Sequence, residues 1–132
     1  MRLMFALVMM LAALGIARAD DRPEPVTDRA APAVKLNPSI GWRLDAVVRM
    51  DEDRGVPVLV IEGDVINSSD KERAAPQVRF GVLDEAGREI YHWTVAPTQP
   101  RVRPRDWVAF EAKLESPPLD MVGLEIQTVE TE

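Results

Sequence analysis

Val58-Leu59-Val60-Ile61 sets four large apolar side chains in consecutive positions. Successive side chains of a strand point to opposite faces, so this run is apolar on both, as expected of a strand with neighbours on either side. It continues as Glu62-Gly63-Asp64-Val65-Ile66, where Gly63 marks a bulge, and stops at Asn67-Ser68-Ser69-Asp70, residues whose side chains bond to nearby backbone and favour turns.

Working outward, the period stays at two. Trp42, Leu44, Ala46, Val48 and Met50 alternate with Arg43, Asp45 and Arg49, and Asp51-Glu52-Asp53-Arg54-Gly55 forms a turn. Beyond Pro76, Val78, Phe80 and Val82 alternate with Arg79 and Gly81. Asp84-Glu85-Ala86-Gly87 reads as a hairpin turn with glycine placed for positive φ. Ile90 to Val95 is aromatic and β-branched, and Pro97 and Pro100 bound the next loop. A short strand near Arg101–Arg103 ends at Pro104-Arg105-Asp106. Val108, Phe110, Ala112 and Leu114 form another strand, Ser116-Pro117-Pro118 breaks it, and Val122, Leu124, Ile126 and Thr128 form the last. About seven short strands without a helix predict an all-β fold, an antiparallel immunoglobulin-like β-sandwich. An up-and-down barrel is the alternative, less suited to so few ordered residues in seven strands.

Several segments together resemble a known family. Ile61 to Ser69 resembles a "v-x-G-x-v-x-N-s-s" strand and turn. Val78 to Asp84 with Gly87 and Ile90 resembles "v-x-v-x-l-x-D-x-x-G-x-x-v", Val102-Arg103-Pro104 with Phe110 resembles "l-x-P-G-x-x-x-x-F", and Leu114 to Pro118 continues the pattern. The set, spanning roughly Val58 to Val129, is similar to a bacterial envelope domain family of unknown function, immunoglobulin-like and usually found after a zinc-ribbon motif and one transmembrane helix. The resemblance implies a fold and an extracytoplasmic compartment but no catalytic residue. This chain departs from it in having no cysteine for a zinc-ribbon, and in Arg105, which stands at the expected turn glycine and requires a turn open to arginine.

Residues 1–19 read as a signal peptide. Arg2 precedes the uncharged run Leu3–Ile16, and Ala17-Arg18-Ala19 offers small residues before a cut at Asp20. The run of about 14 residues is short of the roughly 20 that span a bilayer. Left uncleaved, it would anchor the chain in the inner membrane facing the periplasm; cleaved, it would leave a periplasmic or secreted protein. Residues 20–36, with Pro23, Pro25 and Pro32, read as a disordered leader or tether, and residues 37–132 as the sandwich domain.

Composition excludes much chemistry. The 132 residues include no cysteine and one histidine, which rules out disulfides, thiolate metal sites, cysteine nucleophiles and a multi-histidine site within one chain. The formal charge of −6 argues against a general nucleic-acid partner. Cleavage after Ala19 removes Arg2 and Arg18 and no acid, so the mature chain is more acidic still.

Each candidate site has a plainer explanation beside it. His92 would need a placed serine and an orienting carboxylate, and none of the serines sits in a Gly-x-Ser-x-Gly elbow; it reads as a strand histidine. Asp51, Asp53 and Gly55 resemble the front of a calcium loop that Val56-Pro57 then breaks. Asn67-Ser68-Ser69 is formally a glycosylation acceptor, but turn chemistry accounts for its asparagine. Trp42 and Trp93 read as core. Trp107 lies out of phase with Val108 and Phe110, so it is expected to be partly exposed.

The best surface feature is Arg101, Arg103 and Arg105, spaced by two so that an extended chain presents all three on one face, with Trp107 beside them. Such a patch would dock an envelope protein first, an anionic lipid or glycan second; alternatively it protects an edge strand. The expectation is an exported, non-enzymatic interaction module without cofactor or metal. A hydrolase or weak cation-binding protein, and a subunit of a larger assembly, are the rivals.

Overall fold

The computed structural model describes residues 30–130; the expected signal peptide and most of the leader lie outside them. Nine strands follow in order: β1 (Ala33–Asn37), β2 (Trp42–Asp53), β3 (Val56–Asn67), β4 (Arg73–Ala74), β5 (Gln77–Leu83), β6 (Glu89–Val95), β7 (Arg101–Val102), β8 (Trp107–Glu115) and β9 (Gly123–Val129). One sheet has the order β1-β9-β5-β6, a second β2-β3-β8, and β4 and β7 form a small ribbon. All pairings are antiparallel except β1 with β9. The fold is an immunoglobulin-like all-β sandwich.

The run Val58–Ile61 lies in the centre of the second sheet, between β2 and β8. Leu59 and Ile61 are fully buried in the core between the sheets. Val58 and Val60 are buried on the opposite face, in register with Asp51, Glu115, Arg49 and Lys113. Facing the second sheet across the core are Val78, Phe80, Val82, Leu124 and Ile126, all fully buried. These are the positions that the period-two pattern turned inward.

Four differences separate the structure from the sequence reading. The leader expected to reach Leu36 gives way at Ala33 to β1, which pairs with β9 from Ala33↔Gly123 to Asn37↔Gln127. All five residues of β1 are exposed, and the alternation of Val34 and Leu36, confined between Pro32 and Pro38, is too short to stand out from the leader. Strand β4, two residues long, was equally faint.

Gly63 does not mark a bulge: the register runs unbroken through Ala46↔Gly63↔Phe110. Glycine stands there because a Cβ would collide with the Asp45 carbonyl oxygen and lie 2.6 Å from Phe110 Cζ. The irregularity falls instead between Val82 and Leu83. The carboxylates Asp51 to Asp53 belong to β2 rather than to a turn, which narrows to Arg54-Gly55.

Candidate functional site

Arg101, Arg103 and Arg105 do not share one extended face. Strand β7 ends after Val102, whose buried side chain anchors it, and the chain turns at Pro104-Arg105. Arg105 takes φ 63°, in the left-handed region that favours glycine, and its Nη1 donates to the Ser68 carbonyl at 3.2 Å. Arg101 Nε donates to Glu72 at 2.6 Å, and Arg103 lies 3.8 Å from Asp106. Two of the three charges are therefore met locally. Trp107 is 59% exposed, on the outer face of the second sheet.

The left-handed turn at Arg105 is testable. A non-glycine residue pays about 1–2 kcal/mol for this conformation, partly offset by what glycine loses in chain entropy. Arg105→Gly is expected to be more stable than Arg105→Ala by about 1 kcal/mol in denaturant melts.

The other candidates scatter. His92 is exposed on β6 opposite Gly81, with Glu89 as its electrostatic neighbour, and no serine joins them. Trp42 is buried at the start of β2, donating Nε1–H to Glu130 at 2.7 Å beneath the Arg73 guanidinium, 4.6 Å from its ring. Trp93 is half-buried on β6. The three tryptophans line no common groove. Among the described residues, no group of three or more His, Cys, Asp and Glu side chains converges as a metal ligand set.

Asn67 is fully buried and does more than shape a turn. Its Nδ2 donates to the carbonyls of Lys71 (2.8 Å) and Val102 (3.0 Å), and its Oδ1 accepts from Ser69 N–H and Oγ–H. The amide of the formal glycosylation acceptor is thus occupied in the fold, tying β3, the following loop and β7 together.

The surface that sequence reasoning did not single out is the free edge of β6. Sheet edges expose unpaired backbone groups, and proteins commonly guard them with charge, shortness or cover. The other three edges are guarded. Strand β1 is five residues and carries Lys35. Strand β2 carries Arg43, Asp45, Arg49 and Asp51. Strand β8 carries Glu111, Lys113 and Glu115, and Thr98 N–H covers its Ala109 carbonyl at 2.9 Å.

From Ile90 to Pro100 there is no Lys, Arg, Asp or Glu. Ile90 and Tyr91 are 39% and 45% exposed. An aromatic row fixes this edge to the core: Phe110 meets Phe80 at 6.0 Å, Phe80 stacks on Trp93 at 4.9 Å, and Trp93 meets Tyr91 at 5.7 Å. The absence of charge over that stretch was the available signal.

The start of β6 is held by two carboxylates. Arg79 Nη1 and Nη2 donate to the two Glu89 oxygens at 2.8 and 2.7 Å. That hydrogen bond, outweighing desolvation, keeps the Glu89 carboxyl below its ordinary range. Asp84 Oδ1 accepts from the backbone N–H of Arg88 and of Ala86, which lowers its carboxyl too, and Gly87 closes the turn at φ 80° as the sequence predicted.

Both groups therefore stay ionised to lower pH in the folded chain than in the unfolded one. Their stabilisation is present above the ordinary carboxylate value and is lost as pH falls through that range. Glu89→Gln with Asp84→Asn is expected to flatten the acid side of a melting temperature–pH profile and leave the alkaline side unchanged.

No protein-family model matches the chain, and no curated protein matches it. Among solved structures, it is similar to a crystal structure of a DUF1425 family member from Shewanella sp. pv-4. The identity is 18%, over 69% of this chain and 79% of that one, with a TM-score of 0.41. A likeness at that level carries no functional weight.

Proposed function

We propose that the chain is a non-enzymatic interaction module of the bacterial cell envelope, binding an envelope protein by strand addition at β6. The observation that carries this reading is the contrast among the four edges: β2 and β8 carry several charges each, β1 is five residues with Lys35, and β6 has no Lys, Arg, Asp or Glu after Glu89 and is backed by stacked aromatics. An extended segment laid against Glu89–Val95 would gain backbone hydrogen bonds. Apolar side chains at its alternate positions would meet Tyr91 and Trp93 on one face of the enlarged sheet. Such rigid aromatic anchors suit an interface centre.

Support for the compartment comes from the sequence: the uncharged run Leu3–Ile16 followed by Ala17-Arg18-Ala19, the lack of cysteine, and the Gly63/Asn67 motif resemblance.

Ile90→Lys with His92→Lys places two charges on the exposed face of β6 without touching the core. The double variant is expected to melt within about 1 kcal/mol of the parent. It should lose at least tenfold of the crosslinked partner recovered from envelope extract. Full recovery with the lysines in place would refute strand addition at this edge.

A further inference from the structure

At the end of the sandwich where β2 begins, β3 ends and β8 begins, three segments lie side by side. Ser68 N–H donates to the Gly41 carbonyl at 3.1 Å, Asn67 N–H to the Asp106 carbonyl at 2.8 Å, and Arg105 Nη1 to the Ser68 carbonyl at 3.2 Å. Ile40, Ser68 and Arg105 therefore fall within about two strand spacings, roughly 10 Å. One step down the sheet, Arg43, Ile66 and Trp107 form a row across the outer face.

This end combines two features rarely left together in water. Ile40 is 96% exposed and Trp107 59% exposed. Around them Arg43, Lys71 and Arg105 have no carboxylate within ion-pair distance among the described residues, and Arg103 has only Asp106, at 3.8 Å. Among the described residues Asp70, and Asp45 and Asp64 in the next row of the same outer face, are carboxylates there without a cation. Arg101 and Arg73 are matched by Glu72 and Glu130. The opposite end, where the β2–β3 turn, the β5–β6 turn and the β8–β9 loop meet, carries Asp51, Glu52, Asp53, Asp84, Glu85, Glu115 and Asp120 against Arg54 and Arg88. The domain is thus a charge dipole along its strands, with the acidic excess at the far end and the unpaired cations Arg43, Lys71 and Arg105 at the end that also exposes Ile40 and Trp107.

We infer that this end docks on an anionic phospholipid surface. The dipole orients the domain end-on as it approaches negative charge. Arg43, Lys71 and Arg105 then meet the head groups, Trp107 lies at the interface, and Ile40 enters the acyl boundary. An acidic protein face would satisfy the cations and leave Ile40 without an apolar environment. This surface shares no residue with the edge of β6, so the inference stands or falls separately from strand addition.

The chain has no cysteine, so Ile40→Cys carries an environment-sensitive fluorophore at a single site, and Glu85→Cys serves as the opposite pole. The full chain is mixed with vesicles of phosphatidylcholine, alone or with about one-third phosphatidylglycerol. The expected result is a blue shift at Ile40 on the anionic vesicles only and none at Glu85. The shift disappears in about 0.5 M salt. Combined with Arg43→Glu, Lys71→Glu and Arg105→Glu, its apparent affinity falls by at least about tenfold. Reading the local environment separates docking of this end from any attachment through the apolar N-terminal run. An unshifted Ile40 probe, a shift equal on neutral vesicles, a shift that survives the three glutamates, or a shift at Glu85 instead would each overturn the inference.

Discussion

Asn67→Ala is expected to destabilise the domain by about 3 kcal/mol, since it strands a buried carbonyl and removes three further hydrogen bonds at once. The side chain is fully buried and serves both carbonyls and both donors described above. Alanine leaves the Val102 carbonyl unmatched in the core and takes one partner each from the Lys71 carbonyl and the Ser69 donors, which lie nearer the surface. For a domain of about 100 residues, that loss moves the melting temperature down by roughly 15 °C. Asn67→Asp is the sharper variant. It keeps the shape, but a carboxylate cannot donate to the two carbonyls, and an ionised group in that position is costly. Asp at 67 should therefore be at least as damaging as Ala at neutral pH and should recover partly in acid. A fall of only a few degrees in both would mean that the asparagine shapes the turn and nothing more.

Gly63→Ala is expected to cost at least about 3 kcal/mol, at the upper end for overpacking a core. The added methyl would run into the Asp45 carbonyl oxygen, which is backbone of the paired strand and cannot swing aside, and into the Phe110 ring. Phe110→Leu in the same chain should return part of the loss by freeing the ring side of the clash, while the backbone clash remains. Were Gly63 there for a bulge, the space would be open and the alanine mild. Thermal melts of the single and double variants separate the two explanations.

These two residues mark where the sequence was legible and where it was not. The strand periods are local, so Val58–Ile61, Val78–Val82 and Leu124–Thr128 declared their buried faces directly. Asn67 and Gly63 were visible as special residues, but their partners come from elsewhere in the chain. Val102 lies 35 residues from Asn67, and Phe110 meets Gly63 only once β3 and β8 pair. Strand β1 owes its place to β9 across most of the chain, with no buried side chain to announce it.

The arginine triplet shows the opposite case. Its spacing suggested one basic face, and that face required an extended segment. Pro104 and the left-handed Arg105 turn the chain instead, and Glu72, drawn in from the preceding loop, takes up Arg101. The free edge of β6 could be found only by comparing all four edges, which needs the strand order and not the strands alone.

Strand addition at β6, as proposed, can be followed by hydrogen–deuterium exchange of the chain alone and with the crosslinking partner isolated from envelope extract, read residue by residue. Alone, β6 amides turned away from β5 should exchange far faster than those of β3, which is paired on both sides. In the complex, protection is expected to rise within Ile90–Val95 and to stay unchanged along β2 and β8. Protection that appears elsewhere while β6 continues to exchange freely would contradict the account.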